Sequence, residues 1–190
     1  ATDISIANNG NVAVTKTGHL TLDDNKTLNS LSIEGNGKVT LANTKSLSVT
    51  NFTIKSVADS TGTFVNENET GGLTISGTKS VNQYLASSRN WYMSSPISNA
   101  KVLSGYTYYQ YNEPDGSLGT NWTSPVIGDD LTVGRGYIIK PGAADTYNFS
   151  TTTGTLNDGN IPVTIYRTDG VTKAGFNLIG NPYPSYINVD

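Results

Sequence analysis

The run Leu31-Ser32-Ile33-Glu34-Gly35-Asn36-Gly37-Lys38-Val39-Thr40-Leu41, followed by Leu47-Ser48-Val49 and Phe52-Thr53-Ile54, decides the fold class. Each triplet is apolar, small polar, apolar, which is the period of a strand with one buried face. Gly35-Asn36-Gly37 between two of them is turn chemistry. Upstream the triplet recurs as Ile4-Ser5-Ile6, Val12-Ala13-Val14 and Leu20-Thr21-Leu22, and downstream as Leu73-Thr74-Ile75. Asn8-Asn9-Gly10, Asp23-Asp24-Asn25-Lys26 and Glu69-Thr70-Gly71-Gly72 separate the pieces. Strands this short bury too little to stand alone, whereas stacked rungs share one core. The spacing therefore predicts a solenoid-like stack of short strands over residues 1–82. An antiparallel sandwich of the same strands has the same spacing, and the stacked arrangement is the preferred one.

The composition changes near Lys79–Tyr84. Both tryptophans, all 11 tyrosines and all 7 prolines lie from Tyr84 onward. Longer strands are expected at 90–95, 105–111, 136–140, 146–150 and 161–167, with prolines at loops and edges. Residues 83–190 are expected to form an aromatic-rich β-sandwich of jelly-roll type, packed against the first half. Helix is expected only as single turns at 57–60 and 99–103. The whole chain is predicted to be all-β.

Composition also removes function classes. Twelve Lys and Arg against 15 Asp and Glu give a net charge of −3, with no basic cluster, so a nucleic-acid module is excluded. No apolar run reaches the length of a membrane span, so no membrane insertion is expected. Cysteine is absent and His19 is the single histidine, which excludes thiol nucleophiles, thiolate zinc and multi-histidine metal sites. The chain starts at Ala1 without a charged-then-apolar leader, so a signal peptide is expected to have been removed.

A resemblance follows from the second half. Arg89-Asn90-Trp91-Tyr92-Met93-Ser94-Ser95-Pro96-Ile97, Gly134-Arg135-Gly136-Tyr137, and above all Gly175-Phe176-Asn177-Leu178-Ile179-Gly180-Asn181-Pro182-Tyr183-Pro184-Ser185 carry it. Residues from Gln83 to Asp190 resemble a module of large Bacteroidetes proteins, secreted or displayed at the cell surface by the type IX route. The resemblance implies an adhesin-like segment without agreed catalytic residues. Such modules continue past the Asn-Pro-Tyr-Pro-Ser string, so truncation at Asp190 is expected. Physically, Asn181-Pro182-Tyr183-Pro184 fixes two φ angles and is expected to form a rigid corner with an anchored ring. Asn177 to Gly180 is expected to be a buried strand leading into it. In the same setting, Asp59-Ser60-Thr61 resembles a Bacteroidetes O-glycosylation signal, with Ser60 as acceptor in an exposed loop.

No residue is assigned as catalytic. Glu67, Glu69 and the pair Glu113 and Asp115 are carboxylates in turn-forming surroundings. His19 has no Gly-x-Ser-x-Gly partner and is expected at the surface. Gly134-x-Gly136 has no following helix to cradle phosphate. Asp115, Asp129, Asp130 and Asp158 are candidate ligands of a structural calcium, and no other cofactor is expected. Tyr109, Tyr111 and Trp122 are the candidate ligand-binding rings. Tyr109 and Tyr111 share one strand face, opposite Tyr106 and Tyr108.

These readings converge on a non-enzymatic structural or adhesive segment of a larger exported bacterial protein, secreted or on the outer cell surface. Its partners would be extracellular protein or glycan, and the rest of a parent chain. The alternative is a carbohydrate-binding accessory module of a polysaccharide-degrading system. A β-helix lyase or hydrolase fits less well, because no acid/base set is evident.

Overall fold

The computed structural model describes residues 6–69, 71–113, 121–170 and 174–187. The chain is all-β, built from several sheets. Among the described residues no helix is long and apolar enough to cross a membrane, which says nothing about strand-built barrels.

The triplets of the first half become β1 (Gly10–Val14), β2 (His19–Leu22), β3 (Lys26–Ile33), β4 (Lys38–Leu41) and β5 (Leu47–Ile54). Leu47-Ser48-Val49 and Phe52-Thr53-Ile54 are thus one strand, not two. Thr50 and Asn51 both stay exposed between them, so the inward phase restarts at Phe52. Next come β6 (Ser56–Val57) and β7 (Ser60–Thr61), a hairpin where a helical turn was expected, then β8 (Thr63–Asn66), β9 (Leu73–Ile75) and β10 (Lys79–Leu85). Strands β2, β4 and β8 pair in parallel. Strands β1, β3 and β5 do the same, and β9 and β10 both add to β5 in parallel.

Alternate residues of each strand point inward, and in-register pairing stacks them into rows. Val14, Ile33, Ile54 and Val81 form one such row across β1, β3, β5 and β10. Leu20, Val39 and Phe64 form the facing row on β2, β4 and β8. The two sheets meet where Phe52 packs edge-on against Phe64, ring centroids 5.1 Å apart. Both rings are almost wholly buried. Each ring buried this way contributes about 1.5–3 kcal/mol from its removal from water.

Glycines set the corners between the sheets. The Gly18 carbonyl accepts from the Lys38 amide and the Gly37 carbonyl from the Thr63 amide, which stacks Gly18, Gly37 and Gly62 in one column. A Cβ on Gly37 would lie 2.7 Å from the Val14 carbonyl oxygen, and one on Gly62 2.5 Å from that of Ile33. Only a residue without Cβ fits that approach.

Strand β10 is the hinge between two pairing modes. One side pairs in parallel with β5, while the other pairs antiparallel with β15 (Asp145–Thr151). The inner row therefore runs on from Val81 to Phe149 without a break. The position 82/83, where the composition changes, falls inside this strand.

The rest of the second half contributes β11 (Trp91–Met93), β12 (Tyr106–Tyr111), β13 (Trp122–Thr123) and β14 (Tyr137–Pro141). They form an antiparallel sheet of order β11-β14-β12-β13. Its inner face carries Tyr106, Tyr108, Tyr137 and Ile139, which join the main core with Tyr147 and Phe149. The Tyr108 hydroxyl donates to that of Tyr147 at 2.9 Å and accepts from the Leu103 amide at 3.0 Å. These phenols are buried with their polar tips satisfied, as buried tyrosines require.

Three local expectations need correction. Residues 161–167 form no strand, and Val163, Ile165 and Tyr166 are exposed. Asn177 to Gly180 is not a buried strand either, since Ile179 makes one isolated bridge to Arg135 and is 59% exposed. Alternation in sequence implies a strand only when a neighbour supplies a run of backbone partners. Leu178 and Gly180 share only two backbone bonds with Gly136 and Gly134, and side chains hold the region around Tyr166. The Asn177 side chain accepts from the Tyr166 amide and donates to the Tyr166 carbonyl. At 99–103 there is a bridge from Lys101 to Asp130 instead of a helical turn.

Candidate functional site

Residues directly opposite one another on paired strands share a face. On the four-stranded sheet, Tyr92 pairs with Ile138 and Ile138 with Tyr109. Tyr111, two residues beyond Tyr109, pairs with Trp122. All four rings therefore lie on the outer face, opposite the buried Tyr106 and Tyr108. Tyr92 is 70% exposed, Tyr109 39% and Trp122 40%. Ile138 is buried beneath this face and apart from the main core cluster.

The structure thus brings Tyr109, Tyr111 and Trp122 together and adds Tyr92. Trp91 and Met93 on either side of it both pack against the core, so the Tyr92 ring points out. Tyr111 and Trp122 meet edge-on with centroids 5.2 Å apart, a favourable aromatic geometry. Around them Thr123 Oγ1 accepts from Gln110 Nε2 at 3.3 Å and from Asn112 Nδ2 at 2.9 Å. Asn121 Nδ2 donates to the Tyr111 hydroxyl at 3.2 Å. The rings are held by a frame of side-chain amides and hydroxyls.

The Tyr111 end of this face leads into a groove of about 620 Å³. It is lined by Tyr111 to Glu113, by Thr132, Val133 and Arg135, and by residues of the later segment that include Val163, Tyr166 and Asn177. Glu113, expected to be a turn residue, is buried, and its Oε1 accepts from the amides of Thr168 at 2.8 Å and Gly175 at 2.6 Å. It anchors the unpaired segment that walls the groove. Nothing in the local sequence signals this, because the partners are more than fifty residues away.

The described candidate calcium ligands, Asp129, Asp130 and Asp158, do not gather into one site. Asp130 pairs with Lys101 Nζ at 2.7 Å, and Asp129 is exposed beside it. Asp158 accepts from Asn66 Nδ2 at 2.6 Å and from the Gly159 amide at 2.8 Å. Asp115 lies outside the described residues. Among the described residues no three His, Cys, Asp or Glu side chains gather closely enough to hold an ion. Ser60 is half-buried on β7, next to the exposed turn at Ala58-Asp59, rather than in an open loop. His19 is exposed at the start of β2.

The Asn-Pro-Tyr-Pro segment makes a closed corner. Asn181 Oδ1 accepts from the Tyr183 amide, and its Nδ2 donates to the Ser185 carbonyl. The Tyr183 hydroxyl donates to the Gly159 carbonyl at 2.6 Å. Asn157 Nδ2, itself buried, ties the Pro182 and Ser95 carbonyls together. These contacts fix the corner against the body of the second half.

No curated protein and no solved structure matches this chain. One family model does, described as a domain of unknown function (DUF8693), and it matches residues 1–190. The chain belongs to the DUF8693 family.

Proposed function

We propose that this chain is a non-enzymatic structural and adhesive segment of a larger exported bacterial protein, secreted or held on the outer cell surface. In this reading residues 1–82 are a short β-solenoid that acts as a rigid spacer. Residues 83–190 are a jelly-roll-like module of the Bacteroidetes kind that makes the contact. The observation that carries the reading is the outer face of the four-stranded sheet. Tyr92, Tyr109, Tyr111 and Trp122 sit there while the inner face is already filled by other rings. A sheet that needs rings only for its core has no use for a second set in solvent. The test is binding of the chain to immobilised extracellular proteins and glycans, with Trp122→Ala alongside. Saturable binding that Trp122→Ala abolishes supports the proposal; binding that ignores the substitution contradicts it.

A carbohydrate-binding accessory module is the second reading, favoured by the amide and hydroxyl frame around Tyr111 and Trp122. Rings flanked by directed polar groups suit the apolar faces and hydroxyl edges of sugars. Competition by soluble oligosaccharide separates the two readings: a protein adhesin ignores it, and a sugar module is displaced.

A further inference from the structure

The groove beside Tyr111 contains a cation that is held in place with no ion-pair partner among the described residues. Arg135 is half-buried, and its Nη2 donates to the Tyr111 carbonyl at 2.7 Å and to Asn112 Oδ1. Both acceptors are neutral. Asn112 is itself held, donating through Nδ2 to Thr123 and through its amide to the Asn121 carbonyl. No described carboxylate comes within ion-pairing distance of Arg135, although the chain's other described ion pairs form freely at the surface. Glu113, the other charged residue lining the groove, already receives two backbone amides.

A guanidinium carries five N–H donors. With Nη2 committed, Nε and Nη1 make no hydrogen bond to any described residue. Half-burial weakens screening, so a cation that meets only neutral acceptors among the described residues gains free energy from an incoming anion. Pinning through Nη2 also removes much of the rotamer entropy that binding would otherwise cost. The groove lining also includes Tyr166, 54% exposed, and Thr132. Two tyrosines, hydroxyls and one fixed cation lining a single groove suit a sugar that carries an acid group.

We propose that this groove binds an acidic polysaccharide and that Arg135 receives the carboxylate of a uronic acid residue. Tyr111 and Tyr166 flank the sugar ring, and the exposed face of Tyr109, Tyr92 and Trp122 carries neighbouring residues of the chain. The proposal rests on the carbohydrate reading of the ring face and names its ligand class. An acidic peptide fits less well. Asn177 already occupies the Tyr166 amide and carbonyl, a backbone pair that an added peptide strand would use.

The test is calorimetric titration of the full chain with polygalacturonate, its methyl ester, dextran sulfate and polyglutamate. Arg135→Gln, Tyr166→Ala and Trp122→Ala run beside the unmodified chain, all checked by circular dichroism and melting. The expected result is binding of polygalacturonate, weakened by salt, with the methyl ester poorer by roughly tenfold or more. Arg135→Gln should erase the difference between acid and ester, and Tyr166→Ala should weaken both. Should Arg135→Gln disturb the fold, the acid-to-ester ratio in the unmodified chain and the effect of Tyr166→Ala still decide. Equal binding of acid and ester, lost in Trp122→Ala, overturns the role of Arg135 and leaves the ring-face reading standing. Equal or tighter binding of dextran sulfate or polyglutamate overturns the ligand class. Silence towards every glycan overturns this proposal and the carbohydrate reading together.

Discussion

Two rows of outward residues show how differently the two larger sheets of this molecule meet solvent. Across the six-stranded sheet, register aligns Ala13, Ser32, Thr53, Ser80 and Ser150. Across the four-stranded sheet it aligns Tyr92, Ile138 and Tyr109, with Tyr111 and Trp122 beyond. Both sheets bury a full inner face in the same core cluster. Stability therefore does not distinguish them, but their outer chemistry does. A small hydroxyl row offers water nothing to release, while a ring row does. This contrast is what the proposed reading, a spacer in the first half and a contact surface in the second, rests on.

The largest effect that can be aimed at the first half is Phe52→Ala. The ring is fully buried and packs on Phe64, so its loss should cost about 3–5 kcal/mol. Chemical denaturation would read it. The inner row continues through Val81 to Phe149, so the loss should appear with one transition in both halves. Two separated transitions would break the picture of a shared core.

Glu113→Ala comes next, and it should act locally. Removing a buried carboxylate that receives two amides costs about 1–3 kcal/mol. The loss should appear as faster hydrogen exchange at the Thr168 and Gly175 amides, with strands β3 and β5 unchanged. If exchange rises throughout the ladder, the C-terminal wall is part of the fold's main cooperative unit.

A smaller effect is predicted at acid pH. The Tyr106 hydroxyl donates to Asp145 Oδ2 at 2.6 Å, and this bond, followed by the Thr146 amide, holds the Asp145 carboxyl below its ordinary value of 3.8. A folded-state pKa below the unfolded one gives stability that is present above the unfolded value and is lost as pH falls through the folded one. The stability difference between the unmodified chain and Tyr106→Phe should therefore be constant near neutrality and shrink below pH 3.8. A difference that does not change with pH would mean that packing alone fixes Tyr106.

How much of this was legible depends on where each partner sits. The apolar triplets state the strand period outright, and β1 to β5 follow from it. What the triplets cannot state is the phase reset at Thr50-Asn51, because exposure there is set by the neighbouring strand. Residues 161–167 alternate like a strand and still pair with no strand among the described residues, and Glu113 and Asn177 hold the region by side chain. The ring face was half legible. Tyr109 and Tyr111 follow from alternation along one strand, whereas Trp122 and Tyr92 join them through cross-strand register. Arg135 gave no signal, because a glycine-flanked arginine in sequence says nothing of which carbonyl it will meet.

The smallest expected effect on stability belongs to the substitutions that matter most for function. Tyr92→Ala with Trp122→Ala removes exposed rings and should cost about 1 kcal/mol or less per site. The most direct measurement compares this double variant with Ser32→Ala/Thr53→Ala, its counterpart on the hydroxyl row, for adhesion to glycan- and protein-coated surfaces. The account predicts that the ring variant loses adhesion while keeping its fold, and that the hydroxyl variant adheres like the unmodified chain. Adhesion that survives without the rings, or falls with the hydroxyls, would contradict it.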